Sequence, residues 1–107
     1  MPIVGQGEGV WSFVYIEDAA LATVAALTAP PGIYNVVDDD PSPVSCWLPA
    51  FARWVGAPPP PQWTAQEARE VAGEDAVYYG TKLSRASNTK SKQTFNFTPR
   101  PLQWLHP

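Results

Sequence analysis

Between Val10 and Ile16 the sequence VWSFVYI sets Val10, Ser12, Val14 and Ile16 against Trp11, Phe13 and Tyr15. β-Branched and aromatic residues on both alternating sets predict a strand with both faces covered. The period then changes. Ile16, Ala19, Ala20, Thr23, Val24 and Leu27 recur at helical spacing, and Glu17 and Asp18 fall in the first turn, where the helix dipole favours carboxylates. Pro30-Pro31-Gly32 ends that helix, and IYNVV (33–37) predicts a second strand. Strand, helix and strand at this spacing form a βαβ-like unit.

Past the acidic turn Asp38-Asp39-Asp40-Pro41, Ser45 is placed to cap a helix with the apolar stripe Leu48, Phe51, Ala52 and Val55 and a stop at Gly56. Pro49 suits that helix only within its first turn. Pro58 to Pro61 run extended, because each proline drives its predecessor out of the helical region, and a solvated spacer is expected there. Thr64 and Glu67 make a capping box for a helix that Gly73 closes. A last helix starts at Ser87 or Asn88 and ends near Asn96, which tolerates the left-handed conformation. The predicted class is therefore α/β, of an α+β-like kind, with few short strands and about four helices in a single domain over residues 1–107.

Composition narrows the function. With 45% hydrophobic residues the chain can build a core, and a net charge of −3 argues against a nucleic-acid partner. Arg85, Lys90, Lys92 and Arg100 form a local basic run, read as a solvated helix face. The single Cys46, among Ser45, Trp47 and Leu48, reads as a buried small hydrophobe and excludes an internal disulfide or a multi-cysteine metal site. The one histidine, His106, is next to last, so a Cys/His/Asp triad is not expected. No apolar run reaches a membrane span and no signal peptide is evident; a soluble, cytoplasmic protein is expected.

Three motifs invite chemistry. GQGEG (5–9) has Val10 where G-x-G-x-x-G needs its third glycine, and it leads into a strand instead of a helix, so a flexible loop is expected. YYGTK (78–82) matches Y-x-x-x-K, but Gly80 should interrupt the helix that would align Tyr78 with Lys82. The carboxylates of residues 38–40 are expected to stay hydrated without a metal.

WSFVYIEDAALATVAAL, GIYNVVDDDPSPVSCWL and RASNTKSKQTFNFTPRP nonetheless resemble, in this order, three blocks from the C-terminal third of NAD-dependent epimerase/dehydratases, which are extended short-chain dehydrogenase/reductases. Tyr15-Ile16-Glu17-Asp18-Ala19 matches the family's strand-to-helix junction beside the substrate pocket, with Tyr15 where many members carry His. Gly32-Ile33-Tyr34-Asn35-Val36 matches its G-x-Y-N strand, and Ser87-Asn88-Thr89-Lys90-Ser91-Lys92 its S-N-x-K-x-K block. Phe95-Asn96-Phe97-Thr98-Pro99 stands for Leu-Gly-Trp-x-Pro, with Asn in the left-handed place of Gly and the phenylalanines filling the core.

The resemblance implies the substrate-side portion of an oxidoreductase or epimerase, with the N-terminal Rossmann part, the phosphate loop and the catalytic Ser/Tyr/Lys set absent. It implies NAD(P) for a full-length relative only; no cofactor, catalytic residue or metal ligand is expected in this chain. The alternative is a standalone non-catalytic module that binds a ligand or a protein. If a small molecule binds, Trp11, Tyr15 and Arg85 are the expected contacts, Arg85 meeting an anionic group with its planar fork. Strand edges and apolar faces freed of a missing domain predict a homodimer, simple or strand-swapped.

Overall fold

The computed structural model describes residues 1–105; His106 and Pro107 lie outside them. Among the described residues are five helices: α1 (Ile16–Ala26), α2 (Val44–Val55), α3 (Ala65–Ala72), α4 (Glu74–Thr81) and α5 (Thr89–Phe95). The strands are two residues each. β1 (Ile3–Val4) runs parallel to β4 (Gln62–Trp63), and β2 (Val10–Trp11) antiparallel to β3 (Ser42–Pro43). This is the expected α/β class. The chain forms two compact units, one of Met1–Trp11, Ser42–Arg85 and the chain from Gln103, the other of Ser12–Pro41 and Ala86–Leu102.

In the first unit Val4, Ala68 and Val77 make a core against which Trp63 and Ala65 pack. α3 opens as its sequence requires: the Thr64 hydroxyl accepts from the Glu67 amide at 3.1 Å, and the Glu67 carboxylate accepts from the Thr64 amide at 3.3 Å. Gly73 closes it at φ 88°. α4 was not expected, because Gly80 seemed to break it. Gly80 instead lies inside the helix, since a Cβ there would come within 3.0 Å of the Val4 side chain. Close packing onto β1 offsets the helix-weakening effect of glycine, about 1 kcal/mol.

α2 departs from its expected start. Ser45 is its second residue, the cap position is Pro43, and no side chain caps it. The carbonyls of Gly7 and Gly9 do so instead, accepting from the amides of Ser45 (3.0 Å) and Val44 (2.8 Å). The glycine segment is thus not a free loop. Gly5 and Gly7 are left-handed (φ 58° and 63°), and a Cβ on Gly9 would fall 2.4 Å from the Tyr79 carbonyl oxygen. Pro49 is the sixth helical residue, outside the first turn, so the Ser45 carbonyl has no i+4 amide. Gly56 ends α2 left-handed at φ 76°, as expected. Cys46 is exposed, not buried: it stands on the side of α2 opposite Val44, Trp47, Leu48 and Ala52, which are buried.

Neither predicted strand is completed. Only Val10–Trp11 of the first is paired, within the first unit, and Pro41, the residue before Ser42, has no amide with which to extend the ladder toward Ile16. Further along, Phe13 turns to Asp38: its amide donates to a carboxylate oxygen at 2.7 Å, and its carbonyl accepts from the Asp38 amide. Residues 33–37 carry no strand. Their carbonyls are met by side chains, Asn35 by the Ser91 hydroxyl (2.6 Å) and Val37 by the Asn88 amide group (3.0 Å). α5 ends at Asn96, left-handed at φ 56°, and Phe97 is buried, as the sequence implies. α1 buries Asp18 and Ala22, while the stripe that announces it faces outward, with Ile16 85%, Val24 66% and Leu27 81% exposed.

Candidate functional site

Tyr15 ends the extended segment just before α1, and Glu17 and Asp18 open the helix. Residues 97–102 return across this helix start. The Arg100 amide donates to Asp18 at 2.8 Å and its Nε to the other carboxylate oxygen at 2.9 Å; Nη2 reaches Glu17 at 3.1 Å. The guanidinium lies over the Tyr15 ring, 5.4 Å from its centroid. Beside this cluster a cleft of about 190 Å³ is walled by Asp18, Leu21, Ala22, Phe95, Phe97 and Thr98, among others.

Asp18 is 4% exposed. The Arg100 backbone amide, against the opposing effect of burial and with help from the guanidinium, holds its carboxyl below the usual 3.8. The Arg100 guanidinium is raised in turn, first by Asp18 and then by Glu17. The sign follows from the lowered folded-state value. The stabilisation is complete above the ordinary carboxylate pKa, about 4, and is lost as pH falls through the lower folded value. Asp18→Asn is therefore expected to be destabilised at pH 7 and to lose less on acidification than the parent. Thermal melts from pH 7 to pH 2 check this, and parallel curves for the two proteins would contradict it.

The acidic turn is also drawn inward. Asp38 is buried and accepts from the amides of Phe13 and Asp40. Asp39 accepts from Asn88 at 2.8 Å and Lys92 at 3.0 Å, and these two, Asn88 first, keep its carboxyl below the usual range. The expected hydrated carboxylates are thus structural in two of three cases. The basic run is largely engaged as well: Lys92 with Asp39, Arg100 with Asp18 and Glu17, and Lys90 4.6 Å from the centre of the Tyr34 ring. Among the described residues no group of three or more His, Cys, Asp or Glu side chains is gathered to hold a metal ion.

The three expected substrate contacts fall in different units. Trp11 is in the first, its indole N–H donating to the Tyr79 carbonyl at 2.7 Å and its ring 5.0 Å from that of Trp47. Arg85, exposed, is also in the first. Tyr15 belongs to the second, where its cationic neighbour is Arg100. Sequence reading missed Arg100 in that role because 85 positions separate the pair; the P-R-P of the last block was the available signal. Tyr78 lies in α4, while Lys82 is the residue that ends it.

No family model matches this chain. It is 34% identical over 105 residues to a protein of a Streptomyces species named 3-diazoavenalumate denitrifying reductase, a match covering 97% of this chain and 34% of the relative. The chain thus spans about a third of that reductase. A solved structure, of a functionally unknown conserved protein from Silicibacter pomeroyi DSS, superposes with a TM-score of 0.74 at 22% identity, over 98% of this chain and 38% of the other. That likeness is one of fold. Among the described residues no helix is long and apolar enough to cross a membrane.

Proposed function

We propose that this chain is the substrate-side portion of an NAD(P)-dependent oxidoreductase of the epimerase/dehydratase kind, and that a nucleotide-binding portion outside these residues supplies the hydride. The observation that carries this is the 34% identity, along nearly the whole chain, to a protein named as a reductase. The ordered blocks around Asp18, Asn35 and Asn88 support it, because each is used: Asp18 holds Arg100, and Ser91 and Asn88 hold the segment containing Asn35.

The glycine segment does not fit a dinucleotide. A pyrophosphate site needs free amides at a helix N-terminus. Here the amides of Gly5, Gly7 and Gly9 donate to Trp63, Val4 and Gly80, and the start of α2 is filled by the chain's own carbonyls. No hydride step is therefore assigned to this chain. Its proposed part is to hold the substrate, with Tyr15 as a contact and Arg100 fixing the Tyr15 ring. Exchanging this chain for the matching segment of the Streptomyces reductase tests the reading. The chimera is expected to oxidise reduced nicotinamide with substrate, and Tyr15→Ala within it to lower kcat/KM about tenfold or more. An unchanged kcat/KM removes Tyr15 from the site.

Self-association belongs to the same reading. Ile16, Val24, Leu27 and Ile33 are exposed, and large apolar patches rarely persist on monomers. The isolated chain is expected to form a two-fold dimer with an interface above about 2,000 Å². Sedimentation equilibrium at micromolar concentration checks this; a monomer with a concentration-independent melt would refute it.

A further inference from the structure

We propose that the first unit carries a radical relay, a run of adjoining indole and phenol rings that moves a one-electron oxidation from the interior to two surface tyrosines. Trp47, 5% exposed, is its buried member. The Trp47 ring centroid stands 5.9 Å from that of Trp104 and 5.0 Å from that of Trp11. Trp11 in turn stands 6.3 Å from Tyr79, and Tyr79 stands 5.7 Å from Tyr78. Each step is the spacing of packed aromatic pairs. Electron transfer between rings weakens steeply with distance, so a series of short hops outruns one long jump.

Ring chemistry sets the direction. At neutral pH a phenoxyl radical is more stable than an indolyl radical, so the vacancy runs from tryptophan to tyrosine. The indole N–H of Trp11 donates to the Tyr79 carbonyl at 2.7 Å. That oxygen is too weakly basic to take the proton, so oxidised Trp11 stays cationic and draws an electron from the adjoining phenol. Tyr79 and Tyr78 are 48% and 49% exposed, and water receives the phenolic proton there. On the other side Trp104 meets Phe51 at 5.4 Å, and a phenyl ring is too hard to oxidise to extend the relay. In balance, the oxidant gains one electron, a tyrosine loses one electron and one proton, and every indole is restored. A dissolved thiol or ascorbate then returns a hydrogen atom to the phenoxyl. Left on Trp47, the vacancy would end in ring oxygenation, which adds volume and a polar atom to a packed core. The rings all belong to the first unit, so this inference goes beyond the oxidoreductase reading and does not rest on it.

Pulse radiolysis of the full chain, with azide radical as the one-electron oxidant, tests the proposal. Azide radical attacks indoles first. Indolyl absorption should therefore appear and then decay as phenoxyl absorption rises, at one rate that does not change with protein concentration. Tyr79→Phe keeps the ring and the carbonyl that holds Trp11 but removes the oxidisable hydroxyl, and it should abolish that rise. Tyr34→Phe, in the second unit, should leave it unchanged. Absence of the rise in the parent, a rate that scales with protein concentration, or an unchanged rise in Tyr79→Phe would overturn the assignment. Should Tyr79→Phe fail to fold, spin trapping of the oxidised parent with peptide mass mapping decides. Adducts on Tyr78 or Tyr79 support the relay, and adducts only elsewhere refute it.

Discussion

Replacing Gly9 with alanine is expected to destabilise the first unit by about 3 kcal/mol. The new Cβ would sit 2.4 Å from the Tyr79 carbonyl oxygen and 2.9 Å from the Gly80 carbonyl carbon, both backbone atoms of α4. Neither can swing aside as a side chain would. Relief requires moving the Gly9 backbone away from α4, which breaks the Gly9–Gly80 hydrogen bond and withdraws the carbonyl that caps Val44. Gly56→Ala is the matched control. It meets nothing within 4 Å and is left-handed at φ 76° and ψ 22°, so it should cost only about 1 kcal/mol. All five tryptophans lie in this unit, so urea unfolding followed by tryptophan fluorescence reads both variants directly. Equal midpoints for the two would contradict the packing account.

Asn88→Ala should cost about 2 kcal/mol, and the loss should appear in the second unit. One side-chain amide donates to the Val37 carbonyl and to the Asp39 carboxylate, so truncation leaves the extended segment without the donor that a neighbouring strand would otherwise provide. Asp39 keeps its ion pair with Lys92, but both groups are nearly half exposed, and such pairs contribute about 1 kcal/mol or less. Ser91 still holds Asn35, so the segment should loosen at Val37 before Asn35. Amide hydrogen exchange across residues 33–38 is the measurement. Unchanged protection with an unchanged melt would mean that Asn88 anchors nothing.

Features set by neighbours in sequence were legible before the fold was known. The Thr64–Glu67 capping box, the stops at Gly56 and Gly73 and the left-handed Asn96 each depend on a few adjacent residues. Features set by distant partners were not. The extended segments 10–16 and 33–37 have strand composition, but a ladder needs a partner, and here the partners are a two-residue strand preceded by Pro41 and side chains some fifty positions away. Gly80 read as a helix breaker because its use, contact with Val4, is non-local. Cys46 was misplaced by the apolar character of its neighbours, when the helical angle from Val44 would have put it outside. At the candidate site Tyr15 was visible through the family resemblance, whereas Arg100 needed the fold to bring it over that ring.

The central claim is that this chain holds substrate and depends on another portion for the nicotinamide. Calorimetric titration with NADH and NADPH tests it most directly, comparing the isolated chain with the chimera that carries the rest of the Streptomyces reductase. No micromolar binding to the isolated chain and clear saturation of the chimera are predicted, because the amides of Gly5, Gly7 and Gly9 are already bonded within the fold. Micromolar binding of either nucleotide to the isolated chain, or a folded chimera that binds neither, would contradict the account.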